Sequence, residues 1–193
     1  MISYNNGPQR PNSISFSGDG NYVAIAYAQQ NVIILNGSYP FALNRTLNTG
    51  HGSNVAEVDF SDNSALLLSC GNDGKFNTYT VGVWTPTTTS TTVGGGAATA
   101  CDFASNGNIG YANANNLAIY SSALGTLMTD NSRNYHHLRF VPGGSSLLFL
   151  NSNDRKGYYT PVSPKSIGSI ITDSSIIGSL SYSRTSNYFG MGS

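Results

Sequence analysis

The residues best suited to chemistry are three histidines and nine carboxylates, so their spacing decides whether they can act together. His136 and His137 are adjacent in a strand-like segment, where successive side chains point to opposite faces. We therefore expect that the pair does not share a metal ion. Several carboxylates stand in turn-like segments, where hydrogen bonds to the backbone explain them: Asp19, Asp62, Asp73 and Asp154.

Three other carboxylates lie in apolar runs. Asp59 and Asp102 each directly precede a phenylalanine, and Glu57 lies two residues before Asp59. The two-residue period of a strand puts Glu57 and Asp59 on the same side. Carboxylate oxygens are the ligands that Ca²⁺ prefers, so a cation site is one interpretation. A solvated wall of acidic side chains is the other.

Cys70 and Cys101 fit no metal-binding spacing, and we expect two buried thiols, with a disulfide between them as the alternative. The sequence contains no nucleophile elbow, phosphate loop or dinucleotide fingerprint. It therefore predicts no catalytic residues, no metal site and no cofactor.

The stretch from Gly50 to Trp84 predicts the element that positions these residues. Its apolar runs at 55–60, 65–69 and 76–83 are separated by Ser61-Asp62-Asn63-Ser64 and Gly71-Asn72-Asp73-Gly74. Both gaps consist of residues that favour tight turns. The pattern predicts a three-stranded meander, which is too small to bury its own faces and needs similar neighbours.

The same order of strand, turn, strand, turn and strand recurs along the chain. Each copy contains an aromatic anchor at the end of its first strand: Phe16, Phe60, Phe103, Phe140 and Tyr182. The anchors are spaced by 44, 43, 37 and 42 residues. A period near 42 with several short strands per unit is typical of β-propeller blades.

With its Gly50-His51 pair nine residues before Phe60, this repeat resembles the WD-repeat β-propeller family. The resemblance implies a structural role for His51, which would form a hydrogen bond to Asp73 inside the blade. The family's Trp-Asp pair has no counterpart, since the matching positions are Leu35-Asn36, Tyr79-Thr80, Tyr120-Ser121 and Tyr159-Thr160. The repeats are therefore degenerate.

We predict an all-β fold, with four complete blades and a partial fifth in one domain that spans residues 1–193. The predicted blades cover residues 13–47, 55–92, 98–128, 136–171 and 178–193. The half-blade predicts an incomplete ring. We expect the chain to be a piece of a longer polypeptide, or to close its ring with another chain.

Composition excludes several function classes. Only 9% of the residues are charged and the formal net charge is zero, so the chain offers no basic patch for nucleic acid. No apolar run reaches the roughly 18 residues of a membrane span. Low charge favours an extracellular or surface setting, as do two sequons at Asn36 and Asn44, which are candidate glycosylation sites.

We interpret the chain as a non-enzymatic scaffold that binds other proteins or copies of itself. Propellers carry many functions, so this step from fold to role is an analogy. Two alternatives remain open: a surface subunit of the filament type and a glycan-binding module, the latter suggested by the abundant Tyr and Asn residues.

Overall fold

The computed structural model describes residues 10–89, 93, 96–154, 156–162, 168–171, 179–182 and 189–192. Within them the fold is entirely β, with four antiparallel four-stranded sheets and one two-stranded sheet. Each sheet is formed by consecutive strands in chain order, which is the layout of a propeller blade. The predicted architecture of four blades followed by a partial fifth is confirmed.

The first two blades contain eight strands. Blade one consists of β1 (Pro11–Phe16), β2 (Tyr22–Tyr27), β3 (Asn31–Asn36) and β4 (Leu43–Asn48). Blade two consists of β5 (Val55–Phe60), β6 (Leu66–Gly71), β7 (Phe76–Thr80) and β8 (Pro86–Thr89). The threonine-rich segment after Trp84 begins as the outer strand β8 of this blade.

The remaining blades follow in the same way. Blade three consists of β9 (Ala98–Phe103), β10 (Ile109–Asn113), β11 (Asn116–Tyr120) and β12 (Thr126–Asp130). Blade four consists of β13 (Tyr135–Phe140), β14 (Ser146–Asn151), β15 (Lys156–Pro161) and β16 (Gly168–Ile171). The two-stranded sheet consists of β17 (Ser179–Tyr182) and β18 (Phe189–Gly192). The rest of the predicted fifth blade, residues 178, 183–188 and 193, lies outside the described residues.

The turn after the anchor is built identically in blades one and two. The Ser61 hydroxyl donates to Asn63 Oδ1 over 2.8 Å and accepts from the Leu66 amide over 2.9 Å. Ser17, which follows Phe16, makes the equivalent bonds to Asp19 and Tyr22. Side chains that bond to the local backbone favour such turns, so the turn residues themselves specify each hairpin.

The blades stand side by side through their inner strands, because β5 contacts β1 and β9, and β13 contacts β9 and β17. Three apolar clusters fill the junctions between neighbouring blades. Blades three and four approach closely at Gly110, where an added Cβ would lie 2.9 Å from Leu138 Cδ1. Glycine is therefore needed there for packing and not for a turn.

Candidate functional site

A row of side chains on the inner strands links each blade to the next. The Ser15 hydroxyl accepts a hydrogen bond from the Phe60 amide over 3.3 Å. Asp59 accepts from the Phe103 amide over 3.1 Å, and Asp102 accepts from the Phe140 amide over 2.7 Å. In each case the residue before one anchor binds the backbone of the next anchor, and we call this row the inter-blade ladder.

The ladder has a physical purpose. An inner strand pairs with its own blade on one side only, so the amides on its other side lack a strand partner. A buried amide without an acceptor costs about 1–3 kcal/mol. The acidic and hydroxyl side chains of the ladder supply those acceptors. Glu57 extends the row, because its Oε2 accepts from the Cys101 amide over 2.9 Å.

Arg139 occupies the ladder position in blade four and connects blades that are not neighbours. Its Nη2 donates to Glu57 Oε1 of blade two over 2.7 Å. Its Nη1 lies 3.7 Å from Asp102 Oδ1 of blade three and donates to the Leu138 carbonyl. One guanidinium therefore compensates two carboxylates.

The electrostatics of this group are unbalanced. Burial raises the pKa of Asp102 well above its ordinary value, and the nearby Asp59 carboxylate raises it further, while Arg139 opposes both. Burial lowers the pKa of Arg139, but Glu57 and Asp102 outweigh it and raise that pKa overall. Three carboxylates, those of Glu57, Asp59 and Asp102, therefore crowd around one guanidinium, and this crowding raises the pKa of Asp102.

A hollow of about 90 Å³ opens beside the ladder. Its walls combine acidic, hydroxyl and apolar side chains with Arg139, and its charged and hydroxyl lining residues are Asp59, Asp62, Asp102, Ser105, Arg139 and Ser181. Asp62 is exposed at the rim, in the turn between β5 and β6. We call this hollow the acidic mouth.

His51 and Asp73, singled out from the sequence, lie together inside blade two. His51 Nδ1 is 3.0 Å from Asp73 Oδ1, and His51 Nε2 is 2.9 Å from Ser69 Oγ. Asp73 also accepts from the Gly52 amide over 2.9 Å. Burial raises the pKa of Asp73, but the Gly52 amide and His51 outweigh it and lower that pKa overall. Tyr79 donates to the Thr49 carbonyl over 2.6 Å and is fully packed.

Cys70 and Cys101 form a disulfide between blades two and three, which is the alternative that the sequence left open beside two buried thiols. Their Cα atoms are 6.3 Å apart and both side chains are buried. The register explains the meeting, because Cys70 is on β6 and faces the junction that Cys101 enters from β9.

The prediction that His136 and His137 point to opposite faces was wrong. Their ring centroids are 4.5 Å apart. The pairing of β13 with β14 shifts register between Tyr135 and Leu138, so strict alternation fails at this irregularity. Among the described residues, no group of three or more His, Cys, Asp or Glu side chains is arranged to hold a metal ion.

The two candidate glycosylation residues lie on neighbouring strands of blade one. Asn44 Nδ2 donates to Asn36 Oδ1 over 2.9 Å, so the sequons on β3 and β4 are adjacent. Asn44 is exposed and Asn36 is half-buried. Glycosylation at both positions stays a prediction.

The anchors do not share one environment. Phe60 is fully buried, and Phe103 and Phe140 are buried at the following junctions. Phe16 is 58% exposed. The backbone of Tyr182 pairs with Phe189 in β17 and β18.

Residues 42–78, which include β5, β6 and the His51 network, match the family described as WD domain, G-beta repeat. This segment is similar to one WD repeat, and the described strands have the blade layout of a β-propeller. No curated protein sequence matches the chain significantly. The described part of the chain contains no helix long and apolar enough to cross a membrane.

Sequence reasoning found the acidic ladder residues but missed Arg139. The signal was present, since Arg139 directly precedes an anchor, as Asp59 and Asp102 do. Aligning the repeats on their anchors places Arg139 directly after two acidic positions, Asp59 and Asp102, in the same series. Its partner Glu57 could not be predicted in this way. Glu57 belongs to blade two, two blades before Arg139, and it lies two residues before the ladder position Asp59.

Proposed function

We propose that this protein is a non-enzymatic propeller scaffold that binds a basic segment of another protein at the acidic mouth. The observation that supports this most is the composition of the walls, where Asp59, Asp62 and Asp102 face a single cation, Arg139. Excess charge of one sign in a recess attracts groups of the opposite sign and speeds their association.

The size of the acidic mouth favours a side chain over a whole small molecule. Pockets for small-molecule ligands usually measure about 300–1,000 Å³. The hollow measures about 90 Å³, which suits the end of one lysine or arginine side chain. Such a side chain would be the anchor of a longer contact across the turns that surround the mouth.

The walls are held in place before any partner arrives. Asp59 is fixed by the Ser15 hydroxyl and the Phe103 amide, and Asp102 is fixed by the Phe140 amide. A preformed site loses less entropy on binding than a flexible one. His51 is unsuited to act as a general base, because both ring nitrogens are engaged inside blade two.

The test is a titration with a fluorescent arginine-rich peptide, with a glutamate-rich peptide of equal length as the charge control. We expect the arginine-rich peptide to bind, and added salt to weaken its binding. Asp62→Asn should weaken binding several-fold, because it removes a rim charge outside the inter-blade ladder. Asp154→Asn removes an exposed charge from the β14–β15 turn of blade four and should leave the affinity unchanged. Equal affinity for both peptides, or equal effects of both variants, would contradict the proposal.

One surface gives the glycan-binding alternative a defined test. A groove of about 470 Å³ between the β2–β3 turn and the segment before β5 is lined by Gln29, Gln30, Asn31, Ser53 and Asn54. Amides of this kind suit neutral hydroxylated ligands. Binding on a glycan array that Gln30→Ala abolishes would support this role, and a blank array would remove it.

A further inference from the structure

In the part of the chain that the structure describes, one apolar blade face has no counterpart from a neighbouring blade. Three clusters each combine residues of two neighbouring blades. Among the described residues, the members of the fourth cluster all belong to blade one, namely Val23, Tyr27, Ile33 and Leu35, with Ile25 packed against them. It is therefore half of a junction.

The exposed part of this half-junction is the inner strand β1. Ile14 and Phe16 point to the same side of β1, since they pair with Ile25 and Val23 of the fourth cluster. Both side chains are 58% exposed. At the equivalent positions of blade two, Val58 is 2% exposed and Phe60 is 0% exposed, because blade one covers them.

The backbone of β1 repeats the pattern. In blade two, the Ser61 amide donates to the Leu66 carbonyl, so the neighbouring Phe60 amide points away from β6 and reaches Ser15. In blade one, the Ser17 amide donates to the Tyr22 carbonyl. The Phe16 amide therefore points away from β2 in the same way. Among the described side chains none accepts a hydrogen bond from it.

The other end of the series of inner strands has the matching group. Ser181 directly precedes the anchor Tyr182 of β17, so it holds the ladder position that Ser15, Asp59 and Asp102 hold in earlier blades. Those three side chains accept from the anchor amide of the next blade. Ser181 is exposed.

We propose that β1 of one copy of this chain docks on β17 of a second copy, head to tail. Ile14 and Phe16 pack against the sheet of β17 and β18, and the Ser181 hydroxyl accepts a hydrogen bond from the Phe16 amide. The contact continues the junction already seen three times inside the chain. It joins two different surfaces, so it builds closed rings or open filaments of copies rather than a two-fold dimer. It shares Ser181 with the acidic mouth but uses none of the charges there, so it stands whether or not the mouth binds a basic partner.

Sedimentation velocity over a wide range of concentrations tests the proposal first. We expect the chain to associate more at higher concentration. Phe16→Asp should reduce association at least tenfold, because it places a charge in the contact. Val83→Asp is the matched control, since Val83 is 62% exposed but lies in the β7–β8 turn of blade two. A wild-type chain that stays monomeric, or equal effects of the two variants, would overturn the proposal.

Cross-linking then identifies the surfaces without a destabilising charge. Phe16→Cys and Ser181→Cys are made in separate chains, which is practicable because both native cysteines are already in a disulfide. Oxidation of the mixture should give a covalent dimer of the two variants that neither variant forms alone. A double variant that cross-links only within one chain would overturn the proposal, since it would show that the chain docks on itself.

Discussion

Blades two and three have the same four-stranded layout, but they fill the space at the end of the second strand in opposite ways. In blade two this strand ends at Gly71, where an added Cβ would lie 2.6 Å from His51 Nδ1. In blade three it ends at Asn113, and the glycine is on the other side of the contact. A Cβ added to Gly96 would lie 3.2 Å from Asn113 Cγ. The large and small residues have exchanged sides.

The bonds differ as well as the sizes. Blade two uses a network of His51, Asp73 and Ser69, which contains a carboxylate. Blade three uses a neutral amide, since Asn113 Nδ2 donates to the Val93 carbonyl over 3.2 Å and its Oδ1 accepts from the Asn115 amide over 2.9 Å. Both arrangements tie the segment before the inner strand to the second hairpin. The fold thus requires a filled and bonded space, and more than one pair of residues meets that requirement.

Of the changes that test this difference between the blades, His51→Ala should reduce the stability of the fold most. We expect the free energy of unfolding to fall by about 3 kcal/mol, because the change opens a buried space and leaves Asp73 and Ser69 without a partner. Urea unfolding followed by fluorescence measures it. His136→Ala is the control, since His136 is exposed and should change stability by less than about 0.5 kcal/mol. A loss below about 1 kcal/mol for His51→Ala would show that blade two does not depend on its network.

Gly71→Ala tests the exchange of sizes directly. The new methyl group would meet the His51 ring, so we expect a loss of about 2 kcal/mol. In a His51→Ala background the same change should cost much less, because the obstructing ring is gone. Gly52→Ala is the control, since its added Cβ would have ordinary contacts at 3.9 Å. If the stability losses of Gly71→Ala and His51→Ala simply add in the double variant, the two residues do not compete for the same space.

The sequence predicted the repeat and part of blade two, for reasons that are local. Turn residues and the spacing of Phe60 and Phe103 are visible along the chain, and the resemblance to the WD-repeat family implied the pairing of His51 with Asp73. The sequence did not show that Gly71 and Asn113 occupy equivalent positions with residues of opposite size. That equivalence is recognised only when the two blades are superimposed in three dimensions.

Contacts between side chains were predicted only in part, since the disulfide was given only as the alternative to two free thiols, and the physical reason is register. The disulfide of Cys70 with Cys101 depends on which face each strand turns to the junction. The proximity of His136 to His137 depends on a single irregularity in β13. One shifted residue changes the face of every following side chain, so period-two reasoning alone cannot fix such contacts.

Asn113→Ala should have a smaller effect than His51→Ala. It removes two neutral hydrogen bonds and a side chain of modest size, so we expect a loss of about 1.5 kcal/mol in urea unfolding. Asn115→Ala is the matched control, because Asn115 is exposed and its backbone amide, not its side chain, takes part in the bond. A loss as large as that of His51→Ala would mean that charge adds nothing to the blade-two arrangement.

The smallest expected difference between the two blades is in how their contribution to stability depends on pH. The pKa of Asp73 in the folded chain lies below its ordinary value of 3.8, so its stabilisation is present above that pH and is lost as the pH falls through the folded pKa. Asp73→Asn should therefore flatten the dependence of unfolding free energy on pH below about pH 4. Asn113→Ala should keep the wild-type dependence in this range, because Asn113 does not titrate. If Asp73→Asn and Asn113→Ala follow the same curve, Asp73 is not the group that makes blade two sensitive to acid.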